Sequence, residues 1–72
     1  MNGNKNSKFK LNEHVKTLNG VAKITHVFRN ENKSIGGRRY QLTYCEFKDT
    51  VILNEINIIE VIDINDFPEY LL

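Results

Sequence analysis

Apolar positions from Phe9 onward fall in short blocks rich in Val, Ile, Thr, Tyr and Phe, interrupted by Gly or Asn about every ten residues. Blocks of that length predict β-strands, and no stretch keeps the period of a helix. The clearest alternation runs over residues 38–47, where Tyr40, Leu42 and Tyr44 point one way and Arg39, Gln41, Thr43 and Cys45 the other. The first set is the expected core face of a third strand. A first strand is expected over residues 13–18 and a second over 21–29. They are joined at Asn19-Gly20, a pair that tolerates positive φ and signals a tight hairpin. Ile24 and Val27, both expected in the core, are three residues apart, so a strand buries both only through a bulge or bend.

Residues 30–37 (NENKSIGG) are polar, end in a glycine pair and carry no apolar repeat, which predicts a mobile loop before the third strand. A fourth strand is expected over 50–53, then a connection at 54–57 with room for one helical or 3₁₀ turn, then a fifth strand over 58–62. The chain therefore reads as all-β, with one five-stranded domain over residues 9–64. A disordered basic arm (1–8) precedes it and a short apolar tail (65–72) follows it. In that tail, Asp66 is placed to cap a single turn with Pro68 near its start.

Charge changes this picture because it is divided along the chain. Residues 1–40 hold nine Lys or Arg against Glu13 and Glu31, a net of +7; residues 41–72 hold Lys48 against seven carboxylates, a net of −6. The formal net charge of +1 conceals that asymmetry, which points to a charged partner. A chain of 72 residues allows one domain and buries only about 60% of its unfolded surface, so modest stability is expected. Cys45 is the single cysteine, which excludes an internal disulfide and fits a reducing, cytoplasmic setting. The longest aliphatic run is Val51-Ile52-Leu53, far below the roughly 18 residues of a membrane span. Abundant Asn, Ile and Lys, whose codons are AT-rich, point to a low-GC bacterial or phage genome.

The opening pattern, Phe9-x-Leu11-x-x-x-Val15, then Gly20-Val21-Ala22-x-Ile24-x-x-Val27, resembles that of KOW, Tudor-like and CarD-type RNA-polymerase-interacting domains. The later segments Tyr40-x-Leu42-x-Tyr44 and residues 51–56 are similar to the tyrosine-bearing third strand and the turn-ended fourth strand of those families. The resemblance covers roughly residues 9–62. It implies a small SH3-like barrel without catalytic function that binds a protein or nucleic acid, often within transcription or translation machinery; fold alone does not choose between these.

Arg29, Lys33, Arg38 and Arg39 bracket the glycine loop, and Lys5, Lys8 and Lys10 lie on the arm. Either these are ordinary solvated cations, or they contact phosphate oxygens or an acidic protein surface. Seven acids in the second half make the whole field a dipole, which disfavours strong long-range attraction of DNA. In the tail, Phe67, Tyr70, Leu71 and Leu72 either cover an open end of the barrel or dock on a partner or a second copy. His14, His26 and Cys45 lack the close spacing of zinc ligands, so no metal or cofactor is expected, and Cys45 reads as a packing residue. With no P-loop and no paired-carboxylate signature, the expectation is a non-enzymatic module acting through protein–protein contact. The role expected for it is that of an adaptor or inhibitor of nucleic-acid machinery, encoded by a phage or mobile element. Direct DNA or RNA binding is the alternative, and a homo-oligomer pairing basic halves with acidic ones is the third reading.

Overall fold

The computed structural model describes residues 7–29 and 36–70. They form one antiparallel sheet of five strands, β1 (His14–Thr17), β2 (Gly20–Val27), β3 (Arg39–Tyr44), β4 (Thr50–Asn54) and β5 (Ile58–Ile62). The order across the sheet is β4-β3-β2-β1-β5, so the chain meanders from β1 to β4 and then lays β5 along the open side of β1. No α-helix occurs among the described residues; 3₁₀ turns occupy Glu55–Asn57, Ile64–Asp66 and Pro68–Tyr70. The all-β expectation therefore holds, as do the turn between the last two strands and the bounds of β5. Positions 1–6 of the expected arm, 30–35 of the expected loop, and Leu71 and Leu72 lie outside the described residues. Ser7, assigned to the arm from sequence, belongs to the folded part: it is buried, and its carbonyl accepts from Lys10 Nζ at 2.7 Å.

One face of the sheet carries the core. Phe9, Val15, Ala22, Ile24, Val27, Tyr40, Leu42, Tyr44 and Ile58 form a single buried cluster, with Val51 and Leu53 packed against it. Each large side chain in such a cluster contributes about 1.5–3 kcal/mol relative to exposure. The expected bulge is present in β2: Ile24 pairs with Leu42 and His26 with Gln41, leaving Thr25 as the extra residue. That insertion resets the two-residue parity, which is why Ile24 and Val27 both face inward. Tyr40 is fully buried yet keeps its hydroxyl satisfied, accepting from the Phe9 backbone N–H at 3.4 Å and donating to Glu55 Oε1 at 3.0 Å. Its ring meets Phe9 edge-on at 5.5 Å, so one side chain ties the N-terminal segment and the Glu55–Asn57 turn to the sheet. Burial, offset in part by the bond from Phe9 and reinforced by Glu55, pushes the Tyr40 phenol above its ordinary pKa, and it stays a donor to Glu55 at neutral pH.

Two turns differ from the sequence expectation. Thr17 pairs with Gly20, so the β1–β2 loop is Leu18-Asn19 and Gly20 already belongs to β2. Only Gly20 uses positive φ there (128°), while the Thr17 hydroxyl accepts from Asn19 N at 3.1 Å and donates to Gly20 O at 2.9 Å. The third strand also ends early. Lys48 N–H reaches back to Tyr44 O at 2.9 Å and Tyr44 N–H donates to Asp49 O at 2.8 Å, with Lys48 in the left-handed region at φ 62°. This helix-like turn removes residues 45–47 from the strand and leaves Phe47 exposed.

Candidate functional site

The end of the sheet where β2 stops and β3 begins gathers the expected cations. Phe28 N–H donates to Arg39 O at 3.1 Å, extending the β2–β3 pairing by one residue and placing Phe28 opposite Arg39. The Arg39 guanidinium lies 5.3 Å from the centre of the Phe28 ring, and the His26 ring meets Phe28 edge-on at 4.6 Å. Arg38 Nη1 donates to Phe28 O at 2.9 Å, so this guanidinium is anchored, whereas Arg29 and Arg39 are exposed. Lys33 lies outside the described residues. His26, Gln41 and Ile52 form a row across three strands on the face opposite the core, with Ile52 about half exposed. The surface thus combines an aromatic ring, an aliphatic side chain and cations, of which Arg38 is anchored to the backbone. Sequence reasoning found the arginines but gave no role to Phe28 or His26; the signal was their spacing of two on the outer side of the bulge.

The glycine pair holds this end in place. Gly36 and Gly37 have φ of 91° and 86°, a region that L side chains rarely adopt. A Cβ on Gly36 would come within 3.2 Å of both Asn54 Cβ and Ile56 Cγ2, and one on Gly37 within 3.1 Å of Glu55 Cβ. The backbone is stitched to the same turn, with Glu55 N–H donating to Arg38 O at 2.7 Å and Ile56 N–H to Gly36 O at 3.0 Å. The loop's C-terminal anchor is therefore built by close approach, and it fixes the start of β3 where Arg38 and Arg39 stand.

The C-terminal tail forms the second feature. Asp63 Oδ1 accepts from Asn65 N–H at 2.9 Å and caps the turn Ile64–Asp66, a turn distinct from the one at Pro68 for which Asp66 is the sequence candidate. Pro68 opens the last turn, as its fixed φ favours. Phe67 and Tyr70 stack at 6.3 Å with ring planes 25° apart, and both are half-buried. Tyr70 stands between two recesses beside the β3–β4 turn. One, of about 500 Å³, is shared with Cys45, Glu46, Lys48 and Glu69. The other, of about 310 Å³, is lined by His14, Lys23, Thr25, Thr43 and Lys48, together with Cys45 and Tyr44. Burial first, then the Glu46 and Glu69 carboxylates, push the Tyr70 phenol up. Burial likewise pushes the Cys45 thiol up against the opposing pull of Lys48 and Lys23, so it is protonated at neutral pH and a poor nucleophile.

Among the described residues, no three His, Cys, Asp or Glu side chains converge as metal ligands would, and no helix is long and apolar enough to cross a membrane. Comparison of the chain with protein-family models, with curated proteins and with solved structures gave no significant match.

Proposed function

We propose that this chain is a non-enzymatic SH3-like barrel that works as a binding module, docking an acidic protein surface on its cation–aromatic end. The observation that carries the reading is the Phe28–Arg39 pair flanked by His26, Arg29 and the anchored Arg38. Aromatic and arginine side chains dominate the binding energy of protein interfaces because they bury large area with little loss of rotamer freedom. Ile52, in line with Gln41 and His26, extends the apolar part of the patch. The barrel reading is supported by β5 following β4 through a 3₁₀ turn and pairing with β1, and by the bulge that bends β2. The raised thiol pKa of Cys45 supports a role without nucleophilic catalysis. The module acts as an adaptor or inhibitor of nucleic-acid machinery in the cytoplasm, the role that the resemblance to KOW, Tudor-like and CarD-type domains suggests.

A second reading, direct DNA or RNA binding, is favoured by one specific feature: the Phe28 ring beside the Arg39 guanidinium, with Arg38 held on the Phe28 carbonyl, suits base stacking with phosphate contact. Capture of partners from native lysate, before and after nuclease treatment, separates the two. Proteins retained after nuclease and lost with Phe28→Ala or Arg39→Ala support the docking reading. Loss of every partner after nuclease transfers support to the nucleic-acid reading. The double change Arg38→Ala with Arg39→Ala should then lower the salt slope of oligonucleotide binding by about two. Capture unaffected by any of these substitutions would remove the cation–aromatic end from both.

A further inference from the structure

The recess of about 310 Å³ beside Tyr70 is lined by two lysines and by no carboxylate, with residues drawn from both halves of the chain. His14, Lys23 and Thr43 form one row across β1, β2 and β3 on the face away from the core, because His14 pairs with Lys23 and Lys23 with Thr43. Lys48 enters from the β3–β4 turn, where its left-handed backbone directs the chain back toward the sheet. Tyr70 closes the side, and the acids nearest to it, Glu46 and Glu69, line the other recess, which Cys45, Lys48 and Tyr70 share. Among the described residues neither Lys23 nor Lys48 has a carboxylate partner; the charged and titratable groups they act on are His14 and Cys45.

From this arrangement we infer that the recess is a binding site for a phosphate group, with Lys23 and Lys48 as the charge-bearing contacts and Tyr70 as a wall for an attached planar body such as a nucleobase. The donors available for a tetrahedral anion are the two ammonium groups, the His14 ring N–H and the Cys45 thiol. Thr25 contributes shape rather than a donor, since its hydroxyl already donates to Gln41 O at 3.2 Å and accepts from Gln41 Nε2 at 3.2 Å. Thr43 shares one proton with Thr50 at 3.1 Å, which leaves one hydroxyl hydrogen of that pair available. The volume is at the small end of ordinary ligand sites, which run from about 300 to 1,000 Å³, and suits a nucleoside monophosphate better than a dinucleotide. The site uses none of the residues of the Phe28–Arg39 pair, although the two surfaces adjoin where Thr25 meets Gln41.

The test is a titration of the full chain, followed by backbone amide NMR in chloride buffer of constant ionic strength. The probes are inorganic phosphate, adenosine monophosphate and a short single-stranded oligonucleotide. Saturable shifts confined to His14, Lys23, Thr43, Cys45, Lys48 and Tyr70 are expected with the monophosphate. Lys23→Gln and Lys48→Gln should each weaken it by roughly tenfold, the value of one charge-assisted contact, without altering the rest of the spectrum. Tyr70→Ala should weaken the monophosphate more than inorganic phosphate, which has no planar body to lose. Saturation by the oligonucleotide alone, abolished by the same lysine substitutions, would assign the same phosphate chemistry to a nucleic-acid backbone. Shifts that map to Phe28 and Arg39 instead, shifts that persist in the double lysine variant, or no saturable shift with any probe would overturn the site.

Discussion

At the β2–β3 end, the cations come from residues close in sequence, and short-range bonds hold them: Arg38 donates to Phe28 O, and Arg39 lies over the ring of the residue it faces. Beside Tyr70, the two lysines come from β2 and from the turn after β3, 25 positions apart in the chain, and meet only because the sheet brings them together. The first surface is partly apolar, with Arg38 bonded to the backbone and Arg39 held over the Phe28 ring. The second is a concave recess whose charges sit on flexible stems, without carboxylate partners. A planar guanidinium held over a ring suits a broad macromolecular surface; mobile ammonium groups around a small recess suit a compact anion. Where a protein places its charge thus matters as much as how much it carries.

The comparison breaks most completely if the shared scaffold fails. Ile24→Ala or Leu42→Ala should cost about 2–5 kcal/mol, since both side chains are fully buried in the one core cluster. Circular dichroism melts should show a large fall for either, and both surfaces should be lost together; a melt within a degree or two of wild type would contradict the observed parity of β2 and β3.

Deleting residues 67–72 should act on one side only. Removing the half-buried Phe67 and Tyr70 takes away the wall of both recesses, so the truncated chain should melt a few degrees earlier at every protein concentration. Capture through Phe28 and Arg39 should persist. A wild-type melting temperature that rises with concentration, and ceases to do so on truncation, would instead make the tail a bridge between copies.

Gly37→Ala should act on the opposite side. Its φ of 86° and the 3.1 Å approach to Glu55 Cβ leave a side chain both strained and crowded, at a cost of about 1–2 kcal/mol. Because Gly37 anchors the start of β3, partner capture should weaken while the amide signals of Lys23 and Lys48 stay in place. Equal disturbance at both surfaces would show that they are mechanically coupled.

The smallest effect concerns His14. Burial, and then Lys23, hold its ring below the ordinary value of 6.5 by disfavouring the charged form. The unfolded chain therefore takes up the proton first as pH falls. This contribution to stability is complete above about pH 6.5 and declines as pH drops through that value toward the folded pKa. His14→Gln should shrink the difference between melting temperatures measured at about pH 7.5 and pH 5.5. An unchanged difference would show that other groups set the acid limit.

Several of these features are legible in the chain's own pattern. Alternation in residues 40–44, the conflict between Ile24 and Val27 that demands a bulge, and the turn ahead of Ile58 are local properties, and local patterns survive folding unchanged. The early end of β3 is not legible in that way. Lys48 adopts positive φ without being glycine, and the turn is held by Tyr44 backbone bonds that no side-chain pattern announces. The turn Ile64–Asp66 with its cap at Asp63 escapes sequence reasoning as well, because a single 3₁₀ turn is too short to show an apolar period.

What the sequence by itself determined is the core face of β3 and the inward positions Ile24 and Val27 of β2, because the two-residue period of a strand ties parity to position and burial of one face enforces it. Only the tertiary structure decided which surface residues become neighbours. That depends on register and on the path of the chain after Ile62, neither of which has a local energetic signature. Division of charge along the chain suggested a basic half and an acidic half, yet folding brought Lys23 of the first to Lys48 of the second in one recess.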